Sequence, residues 1–168
     1  MLLRCLLFIA IPGLFAGCAK PADLRDITVN AASPDDFARF RAELGARFTP
    51  EQLKDFDTAT QELQLDAMNR DVPTTAAREA DMLAVVNGKT VRAATLLGWQ
   101  ARKARFLRET AELTRMLNHD LALQAKAGAD TPASVLARIQ SEKEVVAGIQ
   151  RHLAETENRL AGMRPTPP

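Results

Sequence analysis

Gly88-Lys89-Thr90 is the stretch of this sequence that most invites a chemical reading. A glycine, a lysine and a hydroxyl in succession can cradle and neutralise a phosphate. The phosphate-loop pattern also needs a glycine five positions before Gly88, and Leu83 stands there. The intervening Ala84, Val85, Val86 and Asn87 offer no loop of approaching amides, so the trio reads as a helix stop followed by a cap. His119 and His152 are the two histidines, each with a carboxylate nearby in Asp120 and Glu155. Two such pairs would hold a metal only if they met. His119 lies about ten residues before the turn at 128–130 and His152 over twenty after it, which leaves them roughly 20 Å out of register. No metal, cofactor or catalytic residue is expected, because no acid pair falls in a foreseeable cleft and no serine or threonine has a base spaced to activate it. Glu142 interrupts an apolar seam, where it would fix register by pairing across the turn with Arg115 rather than Lys103. Arg102, Lys103, Arg105 and Arg108 form a basic cluster, with Arg92 upstream, and read as a solvated face partnered by Glu109 and Glu112. Together with Trp99, Arg102, Arg105 and Arg108 are the candidates for an interaction surface.

The elements that position these residues are helices. Ser33-Pro34-Asp35-Asp36 opens a first helix that brings Phe37, Phe40 and Leu44 onto one face and weakens at Gly45. Thr49-Pro50-Glu51-Gln52 opens a second, carrying Leu53, Phe56, Thr60, Leu63 and Ala67 and stopping near Arg70 before Pro73. A short third helix covers 75–86. Asn87-Gly88 between β-branched residues has two readings, a hairpin turn or a turn between helices with Thr90 as the next cap. The Ala-, Leu- and Arg-rich flanks favour the helical one.

A fourth helix runs from about Val91 to Lys126. Leu96, Trp99, Phe106, Leu107, Ala111, Leu113, Leu117 and Leu121 share its apolar face, with Arg102, Arg105, Arg108, Glu109, Glu112 and His119 opposite and Lys103 snorkelling along the stripe. After Gly128-Ala129-Asp130 a fifth helix opens at Thr131-Pro132. Ile139, Val146, Leu153 and Leu160 repeat along it every seven residues, and Val135, Ile149 and Met163 hold the complementary positions between the interruptions at Glu142 and Thr156. The expected architecture is all-α, with short N-terminal helices packed on a long antiparallel two-helix hairpin over about 90–163.

Composition narrows the function classes. A chain of 168 residues is one domain's worth, and 46% hydrophobic residues suffice for a core. One Trp, seven Phe and no Tyr leave little aromatic surface for stacking bases or sugars. The formal charge is +1, and Arg4 is the one charged side chain before Cys18, so the chain from Cys18 onward is formally neutral. That gives neither a nucleic-acid footprint nor a polybasic membrane patch. Of the two cysteines, Cys5 falls within the apolar leader, so no disulfide is expected beyond it.

Arg4, the apolar run from Leu6 to Phe15 and the Pro12-Gly13 break fit a three-part export signal, too short for the about 20 apolar residues of a membrane span. Its end, Phe15-Ala16-Gly17-Cys18, resembles the lipobox of bacterial lipoproteins, with Phe15 where leucine is usual. Phe15 also disfavours ordinary cleavage before Cys18; the competing reading is cleavage after Ala19, with Gly17 and Ala19 as the small pair. The resemblance implies a signal over 1–17, diacylglycerol on Cys18, and attachment to a membrane of the cell envelope. Ala19 resembles the default address of the outer membrane, facing the periplasm. Residues 18–32 would then be a tether, 33–163 one helical domain and 164–168 a disordered tail. Within the tether Asp26-Ile27-Thr28-Val29 has the composition of a short strand, with no obvious partner.

A second resemblance rests on Ser33-Pro34-Asp35-Asp36-Phe37, on Phe48-Thr49-Pro50-Glu51-Gln52 with Phe56 and Ala59, and on Asn87-Gly88-Lys89-Thr90. Residues 30–100 or so are similar to a set of small bacterial lipoproteins to which no function is attached. The reading that follows is a non-enzymatic envelope module that docks or assembles a protein partner, its oligomeric state open. The alternative is a periplasmic holdase that takes unfolded chains into the groove between the short helices and the hairpin; an envelope enzyme comes third, since no nucleophile, metal set or acid pair stands out.

Overall fold

The computed structural model describes residues 23–163. The expected signal, Cys18, the start of the expected tether and the expected tail at 164–168 lie outside the described residues. The protein is all-helical, built from α1 (Pro34–Arg47), α2 (Pro50–Asn69), α3 (Thr75–Val86), α4 (Val91–Ala127) and α5 (Ala133–Met163), with 3-10 turns at Leu24–Asp26 and Gly128–Asp130. At 1.5 Å per residue, α4 is about 55 Å long.

Side-chain caps start the first four helices. The Ser33 hydroxyl accepts from the Asp36 amide, Thr74 from Ala77 and Thr90 from Ala93. At Thr49 both arms of a capping box close: the Gln52 side chain takes the Thr49 amide at 2.9 Å, and the Thr49 hydroxyl takes the Gln52 amide. Between α3 and α4, Gly88 adopts φ +72° and Asn87-Gly88 turns the chain from helix to helix. The first core gathers Phe40, Leu44, Leu53, Phe56, Met82, Val86 and Val91, with Phe37 edging into the phenylalanine cluster.

Residues 27–31 depart from the expected tether. Val29 and Ala31 are 1% and 2% exposed, as deep in the core as Phe56. The Val29 amide donates to the Lys89 carbonyl at 2.8 Å, the Val29 carbonyl accepts from Gly88 at 3.0 Å, and the Ile27 carbonyl accepts from Val91 at 2.8 Å. The Ala31 amide donates to the Asn87 side-chain oxygen. The β-forming residues of this strap therefore have a partner, the turn that joins α3 to α4. Thr28 and Thr90 form an isolated antiparallel bridge, and no strand occurs among the described residues.

α2 and α4 approach unusually closely. A β-carbon on Gly98 would fall 2.3 Å from the Ala59 carbonyl oxygen and 2.4 Å from its Cα. Side chains of α4 meet those of α5 at Lys103–Glu157, at the stacked Phe106 and His152 rings, and at Asp120–Arg138. The Asp120 carboxylate holds the Arg138 guanidinium above its ordinary pKa. Glu142 does not pair with Arg115, which is exposed; one of its oxygens is buried without a partner, and Asp120 takes the cross-turn arginine. Ile139 and Val146 are buried as the heptad requires. The interrupting Thr156, at 1% exposed, is buried more deeply than either, because its hydroxyl donates to the His152 carbonyl and leaves no polar atom unpaired.

Candidate functional site

The site begins with a carboxylate in the wrong place. Glu62 shares the inner face of α2 with Ala59 and Leu63 and is only 5% exposed. A carboxylate removed from water needs opposite charge and hydrogen bonds. Arg105 supplies both through its fork, Nε to Oε2 at 3.0 Å and Nη2 to Oε1 at 2.8 Å, while its Nη1 reaches Glu109 at 2.9 Å. The hydrogen bond to Glu62 is the main reason the Arg105 pKa lies above its ordinary value, against the opposing effect of burial.

Arg102 is bound less completely. Its Nη1 reaches Glu62 Oε1 at 3.2 Å, while its Nε is buried with no partner among the described residues. Such an orphaned donor costs about 1–3 kcal/mol. The guanidinium lies over the Trp99 ring at 5.2 Å and the Phe106 ring at 5.1 Å. Arg105 also covers Phe106 at 4.4 Å, and the His152 ring stacks on it at 5.9 Å.

Beside Arg102 opens a cleft of about 630 Å³, walled by Lys54, Asp55 and Thr58 from α2, Trp99 and Arg102 from α4, and Glu155, Thr156, Asn158 and Arg159 from α5. That volume lies within the range of small-ligand pockets. The Trp99 indole donates to the Asp55 carbonyl at 3.3 Å, and Arg159 reaches the Asp55 carboxylate at 3.3 Å. A smaller hollow near Phe48 is lined by Arg41 and Asp57, which satisfy each other at 2.6 Å.

The four residues read as a candidate interaction surface do not share one exposed face. Trp99 is 7% exposed and turned inward, Arg105 is spent on Glu62, and Arg102 lines the cleft. Arg108 alone remains outside, half-exposed and 3.7 Å from Asp66. The reason is that α4 is covered on two sides: α2 claims the arginine side assigned to solvent, and α5 claims the stripe containing Phe106. Leu107, placed on the apolar stripe, is exposed instead. Lys103 pairs with Glu157 at 2.7 Å, His119 is exposed, and Lys89 serves the strap through its carbonyl. Glu62 is the site residue that sequence reasoning missed; the available signal was an acid between Ala59 and Leu63 together with arginines one turn apart on a later helix.

No known protein family, curated protein or solved structure matches the chain.

Proposed function

We propose that this protein is a cell-envelope lipoprotein, held to a membrane through lipid on Cys18, that acts as a non-enzymatic interaction module on an antiparallel α4–α5 hairpin. The observation that carries the anchor is Phe15-Ala16-Gly17-Cys18 at the end of a short apolar run. No described helix is long and apolar enough to cross a membrane, so attachment in this reading falls to the lipid. Three contacts favour the hairpin: moving from Lys103 to Phe106 to Asp120 along α4, their partners retreat along α5 from Glu157 to His152 to Arg138. Beyond the short helices these two helices carry Met116, Leu123, Leu136 and Val145 at 42–46% exposure, apolar area suited to a partner. The charged lining of the cleft favours one defined partner over the holdase alternative, whose clients would need an apolar cradle.

The anchor is tested by intact mass of the N-terminal peptide and by membrane partition of wild type and Cys18→Ala. Diacylglyceryl mass on Cys18, and release of the variant from the membrane fraction, are expected. An unmodified chain starting at Lys20 overturns the anchor. For the module, photocrosslinkers at Met116 and Leu136 in intact cells should give one discrete adduct; a broad smear of adducts would favour the holdase.

A further inference from the structure

We propose that the cleft between α2, α4 and α5 binds a carboxylate, received by the Arg102 guanidinium beside Trp99 with Lys54 as the second cation. The inference deepens the interaction reading, on which it rests for the source of that carboxylate: an acidic side chain or chain terminus of the partner.

The two arginines divide the work unequally. Arg105 saturates Glu62 with its fork. Arg102 adds a single longer bond through Nη1, and neither its Nε nor its Nη2 has a partner among the described residues. That free edge is the one with which a guanidinium takes a planar carboxylate through two parallel bonds. The group is also held still. Glu62 tethers one end, and Trp99 and Phe106 lie against its faces at 5.2 and 5.1 Å. Nε has no accessible surface, so its bond forms only as the cleft lining adjusts around the ligand.

The charges around the cleft point the same way. Arg105 holds Glu62 and Glu109, Asp55 is taken by Arg159, and Glu155, at the exposed rim 3.4 Å from His152, is offset only when that histidine carries a proton. Arg102 only shares a carboxylate that Arg105 already holds. Lys54 has no ion pair among the described residues and acts on Glu51 only through space. The cleft thus keeps Lys54 without an ion pair, beside an Arg102 whose Nε–Nη2 edge has no partner and a Trp99 ring in the same wall. The fork itself fits a carboxylate or a phosphate; the protein-partner reading is what selects the carboxylate.

Trp99 is the one tryptophan in a chain with no tyrosine, so intrinsic fluorescence reports directly from the cleft wall. The full-length protein in detergent is titrated with acetate, N-acetylglutamate, inorganic phosphate, and an acetylated tetra-alanine peptide with either a free or an amidated C-terminus. Saturable change is expected with the free-acid peptide and none with its amide. Arg102→Gln and Arg102→Lys should each raise Kd about tenfold or more, the second because lysine keeps the charge but loses the fork. Lys54→Gln should weaken binding severalfold, and Arg92→Gln should leave it unchanged. Circular dichroism melts identify any variant that fails to fold, and Arg102→Lys then carries the test. Tighter binding of the peptide than of acetate or N-acetylglutamate supports a polypeptide source; equal binding supports the carboxylate site and overturns its assignment to a protein partner. No saturable response to any carboxylate by about 10 mM, an equal response to the amide, or phosphate binding more tightly than every carboxylate overturns the proposal. This titration does not depend on lipid and Cys18 partition does not depend on the cleft, so each reading fails separately.

Discussion

Gly98→Ala should destabilise this protein, although the same change at an ordinary helical position stabilises it. In a helix interior alanine is favoured over glycine by about 1 kcal/mol. At Gly98 the new methyl would lie 2.3 Å from the Ala59 carbonyl oxygen and 2.4 Å from its Cα and Cβ. Ordinary contact begins near 3.4 Å, so the helices must separate by about 1 Å. Overpacking typically costs about 1–3 kcal/mol. The upper end applies here, because the atoms met are main chain and a β-carbon, with no rotamer to turn aside. Subtracting the propensity gain leaves a loss of about 2 kcal/mol. In urea, with a slope of about 2 kcal/mol per molar, the midpoint should fall by about 1 M. Gly45→Ala, with no atom within 4 Å, and Gly148→Ala, whose nearest neighbour is the Arg151 guanidinium at 3.8 Å, should raise it. Adding Ala59→Gly to Gly98→Ala should not restore stability, since the carbonyl oxygen and Cα remain in the way. A Gly98→Ala midpoint at or above wild type, with an unchanged slope, would refute the close crossing of α2 and α4.

Three further outcomes follow from buried or hydrogen-bonded groups. Glu62→Ala leaves two guanidinium groups facing each other without their shared carboxylate and should lower stability by about 3 kcal/mol in chemical denaturation. Amide exchange at Val29, Gly88 and Val91 should be slow, and Val29→Ala should accelerate all three; exchange at the rate of an open chain would refute the docked strap. Asp36 is held below the ordinary aspartate value, first by the Ser33 hydroxyl and then by Arg39, with burial opposing. Because its folded pKa is depressed, its contribution to stability is present above about pH 3.9 and lost as pH falls through the folded value. Carboxyl NMR titration should show the Asp36 pKa rising in Ser33→Ala, with a smaller acid-side loss of stability; an unchanged Asp36 titration counts against the cap.

Local chemistry was legible in the sequence, and long-range pairing was not. Ser33, Thr49 and Thr90 cap from within four residues, so a short window contains the whole interaction. The strap could not be read this way. Its β-forming residues are plain, but the partners of Ile27 and Val29 are main-chain groups about sixty residues away in a turn, and the one side chain that helps, Asn87 on Ala31, looks like an ordinary turn residue. α4 misled for a different reason. A single apolar stripe describes a helix covered on one side, whereas α4 buries one side with hydrocarbon and another with an ion pair. Arg102 and Arg105 therefore look solvated until Glu62 is known to face them. The cleft inherits that difficulty, since it draws on three helices at once.

The docked strap also sets a mechanical scale. If Cys18 carries lipid, only residues 19–22 separate it from Asp23, and the five steps between them extend about 18 Å at most. A tether free as far as residue 32 would have been a leash some three times longer, letting the body wander over the bilayer. With Val29 and Ala31 fastened beside the start of α4, such an anchor would have little slack and would mount the body by its base. The turn at Gly128 lies about 55 Å further along α4. So anchored, the protein would resemble a short boom on a fixed footing, its reach set by helix length and its sweep limited by a few hydrogen bonds at the strap.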